Sequence, residues 1–114
     1  MTTPTDRQAR TRRIAELNDE CRKAMGVPGH VLITPGAAAL PDRHALYEKI
    51  EGFADFDRAN DPWHERDFGA FDHAGEKLFW KIDYYDRALT HGSPDPTDPS
   101  VTTRVLTIML ASEY

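Results

Sequence analysis

Asp83 and Asp86 flank the pair Tyr84-Tyr85, with Lys81 two residues ahead of Asp83. Carboxylates at the end of a strand can hold a divalent cation, as in metal-dependent nucleases and hydrolases, and His64 could act beside them as a ligand or a general acid or base. A plainer reading competes: strand alternation puts Lys81 and Asp83 on one face, where they form an exposed ion pair. Five histidines, His30, His44, His64, His73 and His91, invite a metal centre. None of their spacings is HxxxH or HxH, so no two of them share one face of a helix or strand. The nearest approach to a cluster is His64, Glu65, Asp67 and His73. There is no nucleophile elbow and no glycine-rich phosphate loop, and Ser93 beside His91 lies in a proline-rich stretch without a positioned base. The chain is therefore expected to hold no metal and no other cofactor.

The stronger chemistry is recognition. Trp63, Phe79, Tyr84 and Tyr85 are large amphipathic side chains set among acids. Aromatics supply buried area at an interface while carboxylates steer and pair Arg or Lys of a partner. The expected partner-binding set is Trp63, Glu65, Asp67, Lys81, Asp83, Tyr85 and Asp86, and the expected partner is a protein with a basic surface. Trp80, by contrast, reads as core.

Charge supports this choice. Residues 1–46 carry seven Lys/Arg and five Asp/Glu, whereas residues 47–100 carry six and thirteen. An acidic middle argues against direct contact with a phosphate backbone, which needs Lys and Arg there. Carboxylates standing in for phosphates would let the protein block a nucleic-acid-handling enzyme, as anti-restriction and anti-CRISPR proteins do, although a net charge of -5 is small for full mimicry of DNA. Arg10, Arg12, Arg13 and Arg22 offer a weaker, basic alternative on one helix. The bland account of the acids is that they solvate loops and edges.

With 114 residues, 39% of them hydrophobic and 29% charged, the chain makes a single domain over 1–114. Its mean hydropathy of -0.62 and the lack of a long apolar run exclude a spanning helix. The polar N-terminus and the single Cys21 point to the cytoplasm and to a reducing compartment. A dimer is compatible with all of this.

The elements that must position these residues follow from periodicity. Residues 1–5 are expected to be flexible. Ile14, Leu17, Cys21 and Met25 recur at helical steps over about 5–25, with Thr5 or Asp6 as cap and Gly26, Pro28 and Gly29 as the stop. His30–Thr34 reads as a short strand, and Pro41-Asp42 opens a helix through Leu46, Ile50 and Phe53 that ends near Phe56. Residues 57–66 form a loop anchored by Trp63. Residues 67–86 form a hairpin. A two-residue turn at Ala74-Gly75 pairs His73 with Glu76, Asp72 with Lys77, Phe71 with Leu78, Ala70 with Phe79 and Gly69 with Trp80. Leu78, Trp80, Ile82 and Tyr84 then share a face, with the indole lying over Gly69. Residues 88–100 form a proline-rich connector that cannot join a ladder. For the apolar end VTTRVLTIMLASEY, helix and strand compete, and the Asp98-Pro99 start with the polar SEY end favours the helix.

The blocks IAELND, DPWHERDFGAF, LFWKIDYYD, GSPDPTDPS and VTTRVLTIMLASEY resemble small bacterial proteins grouped as domain of unknown function 3768. The resemblance implies a cytoplasmic bacterial protein and a mobile-element setting, and it transfers no catalytic residue. The expected fold is α+β, of order α-β-α-β-β-α. A small antiparallel sheet of about three strands, including the 67–86 hairpin, carries helices packed on one face.

Overall fold

The computed structural model describes residues 4–25 and 29–114. Gly26 and Pro28, named above as helix stops, and residues 1–3 of the expected flexible end lie outside the described residues. The first helix, α1 (Pro4–Lys23), begins ahead of the expected caps Thr5 and Asp6. Strand β1 (His30–Ile33) leads to a one-turn helix α2 (Pro35–Ala38) and then to α3 (Arg43–Glu51). Each of these two helices has a side-chain cap: Thr34 Oγ1 accepts from the Ala37 amide and Asp42 Oδ1 from the Ala45 amide. The hairpin is β2 (Phe68–His73) and β3 (Glu76–Tyr85), and the chain closes with β4 (Thr103–Leu110) between two 3₁₀ turns.

The hairpin has the expected register at all five pairs. Ala74 at φ 54 and Gly75 at φ 81 are both left-handed, as a type I′ turn requires. At Gly69 a methyl group would strike the Trp80 indole nitrogen and come within 2.7 Å of Phe53 Cζ, so the glycine makes room for the ring. Trp80 is fully buried, and Phe53 and Phe56 meet it edge to face at 5.5 and 6.1 Å.

Several expectations fail. The C-terminal run is a strand, and the sheet has four strands rather than three, in the order β1-β4-β3-β2. It is mixed: β1 runs parallel to β4, and the other pairs are antiparallel. Because β4 is central, Arg104, Val105, Leu106, Ile108 and Met109 are all buried, and a strand buried on both faces loses the alternation that identifies one. The capping signal at Asp98 is real, since its carboxylate accepts from the Ser100 amide, but it serves only the 3₁₀ turn Pro99–Val101. The helix expected to reach Phe56 ends at Glu51, with Gly52 as its cap, and releases Phe53 and Phe56 onto Trp80.

Alternation divides the sheet. One face sets Leu78, Trp80, Ile82, Leu106 and Ile108 against Cys21 of α1, Ala37 of α2, and Leu46 and Ile50 of α3, which is the core. The opposite face carries Leu32, Phe68, Phe79, Lys81, Asp83, Tyr85 and Met109. There Tyr114 packs edge to face on Phe68 and Phe79 at 6.1 and 5.5 Å. The connector 88–100 is ordered by hydrogen bonds, from the Ser93 amide to the Tyr84 carbonyl and from Arg104 Nη2 to the Pro96 carbonyl. Contrary to expectation it also touches the sheet, through a bridge between Tyr85 and Gly92.

Candidate functional site

The loop from Gly52 to Asp67 is short of secondary structure yet closely tied. Asp57 Oδ1 accepts from the amides of Ala59 and Asn60, a side-chain turn that this residue type favours. Asp61 is buried, and its carboxylate accepts from the Arg66 amide at 2.9 Å, closing a loop over the span of four residues Pro62, Trp63, His64 and Glu65. His64 and Arg66 sit at φ 61 and 54, which sharpens that span.

The C-terminal side of the span is pinned to neighbouring elements. The Arg66 guanidinium pairs with Asp19 of α1, which also takes Arg22 at 3.1 Å. Asn18 of α1 donates to the Glu65 carbonyl at 2.9 Å and to the Tyr84 hydroxyl at 2.8 Å. Tyr84 in turn donates to Glu65 Oε1 at 2.7 Å. Just ahead of these pins Trp63 is 77% exposed, so it does not anchor the loop as expected. An indole at the tip of a fastened loop is held ready for contact, because little ordering remains to be done on binding.

Carboxylates gather at the foot of this loop. Burial pushes the Asp67 carboxyl above its ordinary range, and the nearby charges of Glu65, Asp61 and Asp83 push it further. Burial and the Glu65 hydrogen bond raise the Tyr84 hydroxyl far above its usual value, so it stays a donor. Lys81 donates to Asp83 at 3.0 Å, and that bond holds the ammonium above its ordinary value. The ion-pair reading of these two residues is therefore correct.

Of the seven residues singled out from the sequence, Glu65, Asp67 and Asp83 come together here, with Lys81 beside Asp83. Trp63 projects from the loop above, and Tyr85 is half-buried on the helix-free face. Asp86 is engaged elsewhere: its carboxylate accepts from the Thr90 amide at 3.0 Å and is held below the ordinary range by that bond first. Among the described residues, no group of three or more His, Cys, Asp or Glu side chains could hold a metal ion. His73, named with His64, is buried at the far end of β2 between Lys49 and the Pro41 carbonyl.

Sequence reasoning missed Asn18, Asp61 and Arg66. Two of them left a trace: asparagine in a helix interior is a poor helix former, and Asp before Pro is a turn signal. Arg22, grouped above with Arg10, Arg12 and Arg13 as a basic surface, is buried and donates to the carbonyls of Ile50 and Glu51. Arg10 pairs with Asp95 at 3.0 Å, so two of the four arginines of the basic-helix alternative are already engaged.

Fold and site together define a small α+β domain in which a four-stranded mixed sheet carries a fastened acidic loop with an exposed tryptophan. The chain belongs to the family described as protein of unknown function (DUF3768), whose model matches residues 33–113. That span takes in the loop, the hairpin and β4, and it leaves out α1. No curated protein and no solved structure matches the chain. No helix among the described residues is long and apolar enough to cross a membrane.

Proposed function

We propose that this protein is a non-catalytic recognition module whose partner is a protein with a basic surface. The observation that carries the reading is Trp63, 77% exposed on a loop fixed to α1 and β3. Exposed tryptophans dominate binding energy when a partner pocket desolvates them. Glu65, Asp67 and Asp83 at the foot of the loop supply charge that speeds encounter with Arg and Lys and fixes orientation. A basic groove that normally takes nucleic-acid phosphate has this complementary chemistry, so the partner class we infer is a nucleic-acid-handling enzyme, with this protein as its inhibitor or regulator.

The test is capture from the native host with tagged protein after nuclease treatment, followed by titration of the purified partner. Trp63→Ala is expected to weaken binding by about 2 kcal/mol or more. Asp67→Asn with Asp83→Asn is expected to slow association and reduce its salt dependence. A partner indifferent to Trp63, or binding that disappears with nuclease, would overturn the reading.

A further inference from the structure

Arg104 belongs to two settings. On one side it joins the network just described, donating from Nε to Asn18 Oδ1 at 2.7 Å and from Nη2 to the Pro96 carbonyl at 2.7 Å. It also lines a cleft of about 810 Å³ between α1 and the starts of β1 and β4. The walls of this cleft carry Arg13, Lys23, Arg87 and Arg104 against one carboxylate, Glu20. In a chain of net charge -5 that is a local reversal of sign.

Most of these cations are not neutralised by the protein. Among the described residues, the Lys23 and Arg87 side chains make no hydrogen bond or ion pair. Arg13 has only a long contact to Glu16, 3.7 Å and half in solvent. Arg104 Nη1 has no partner, although Nε and Nη2 do. Some cations outside the cleft are closely paired, as in Arg10 with Asp95, Arg66 with Asp19 and Lys81 with Asp83, and others such as Arg12 and Lys77 stand in solvent. What sets the cleft apart is that four cations line one concavity. Like charges converging on a concave wall repel, and a bound anion removes that repulsion while gaining from each of them.

The remaining lining is apolar, from Leu17, Cys21 and Ala24. Burial pushes the Cys21 thiol up, so the floor stays neutral and offers no nucleophile. The size lies within the range of about 300–1,000 Å³ typical of small-molecule sites. We infer that the cleft binds a small organic anion, a phosphate or carboxylate group on an apolar body, with the cations Arg13, Lys23, Arg87 and Arg104 around its walls offered to the charged group and Leu17, Cys21 and Ala24 offered to the apolar body. Guanidinium groups suit such oxyanions because their fork donates two bonds at once. A polyanion fits less well, since the acidic remainder of the molecule repels an extended phosphate chain or an anionic membrane.

Calorimetric titration of the full chain with 1-naphthyl phosphate tests this, with 1-naphthol and inorganic phosphate as half-ligands. We expect saturable one-to-one binding tighter than about 1 mM and weaker binding of either half-ligand. Lys23→Glu and Arg87→Glu, both exposed and neither a folding contact, should each weaken it by about tenfold or more. Arg12→Glu, on the same helix but outside the cleft, and Trp63→Ala should leave it unchanged, which separates this inference from the proposed function. No saturable binding, indifference to both cleft variants, or an equal loss in Arg12→Glu would overturn it. So would tighter binding of an oligonucleotide or of anionic lipid vesicles through the same two residues, because the occupant would then be a macromolecule.

Discussion

A carboxylate surrounded by other carboxylates works against the fold that holds it, and Asp67 is in that position. Burial comes first and the charges of Glu65, Asp61 and Asp83 follow, all favouring its neutral form. Its folded value lies above the ordinary 3.8. The neutral form therefore stabilises fully below that value, and the stability is lost as pH rises through the folded value. At neutral pH ionised Asp67 is destabilising, so Asp67→Asn is expected to raise the urea midpoint at about pH 7, with the gain vanishing by about pH 3. A gain that persists unchanged in acid would mean that charge is not its cause. Residue types here were legible in the sequence; their engagements were not. Asp86 looked as available as Asp83, yet it accepts from Thr90 and His91 faces it at 3.7 Å, a contact set only by the turn that follows.

The hairpin and β4 show when an element can be read from its own residues. A two-residue turn fixes every pair beyond it, and side-chain volume confirmed the register where Gly69 faces Trp80. The turn itself is imperfect, because Ala74 is held at φ 54, a conformation asparagine tolerates better than alanine. Ala74→Asn is expected to stabilise by about 0.5–1 kcal/mol, and Gly75→Ala to destabilise by about 1 kcal/mol, both read from denaturation midpoints. No change in the first would mean that the turn tolerates alanine at no cost. Strand β4 carried no such local key. It is covered on both faces, its capping signal belongs to a single 3₁₀ turn, and its parallel neighbour β1 pairs with it from more than seventy residues away in sequence, His30 with Val105. Such a pairing follows from the packed sheet and leaves no periodic mark on either segment.

Across the whole molecule, one buried polar chain ties α1, β4, β3 and the acidic loop together. Asn18, with no exposed surface, accepts from Arg104 and donates to both Tyr84 and Glu65. Arg104 lies 5.0 Å from the Tyr84 ring centre, and burial lowers its ordinary value without removing its charge. Replacing Asn18 by leucine would leave the Arg104 Nε donor and the Glu65 carbonyl unpaired inside the protein, a loss of about 3 kcal/mol. Tyr84→Phe removes a hydroxyl that both donates and accepts and is expected to cost about 1–2 kcal/mol. If the chain acts as a unit, the double variant falls short of the sum by about 0.5 kcal/mol or more, whereas strict additivity would show independent contacts. Hydrogen exchange gives a second readout. In Asn18→Leu the Arg66 amide, now closed over Asp61, should exchange faster by more than the global loss of stability explains, while hairpin amides between Ala70 and Phe79 should follow the global loss alone. Trp63 would then ride on a loosened loop, so partner affinity should fall in Asn18→Leu although no contact residue has changed, because ordering that loop again becomes part of the cost of binding.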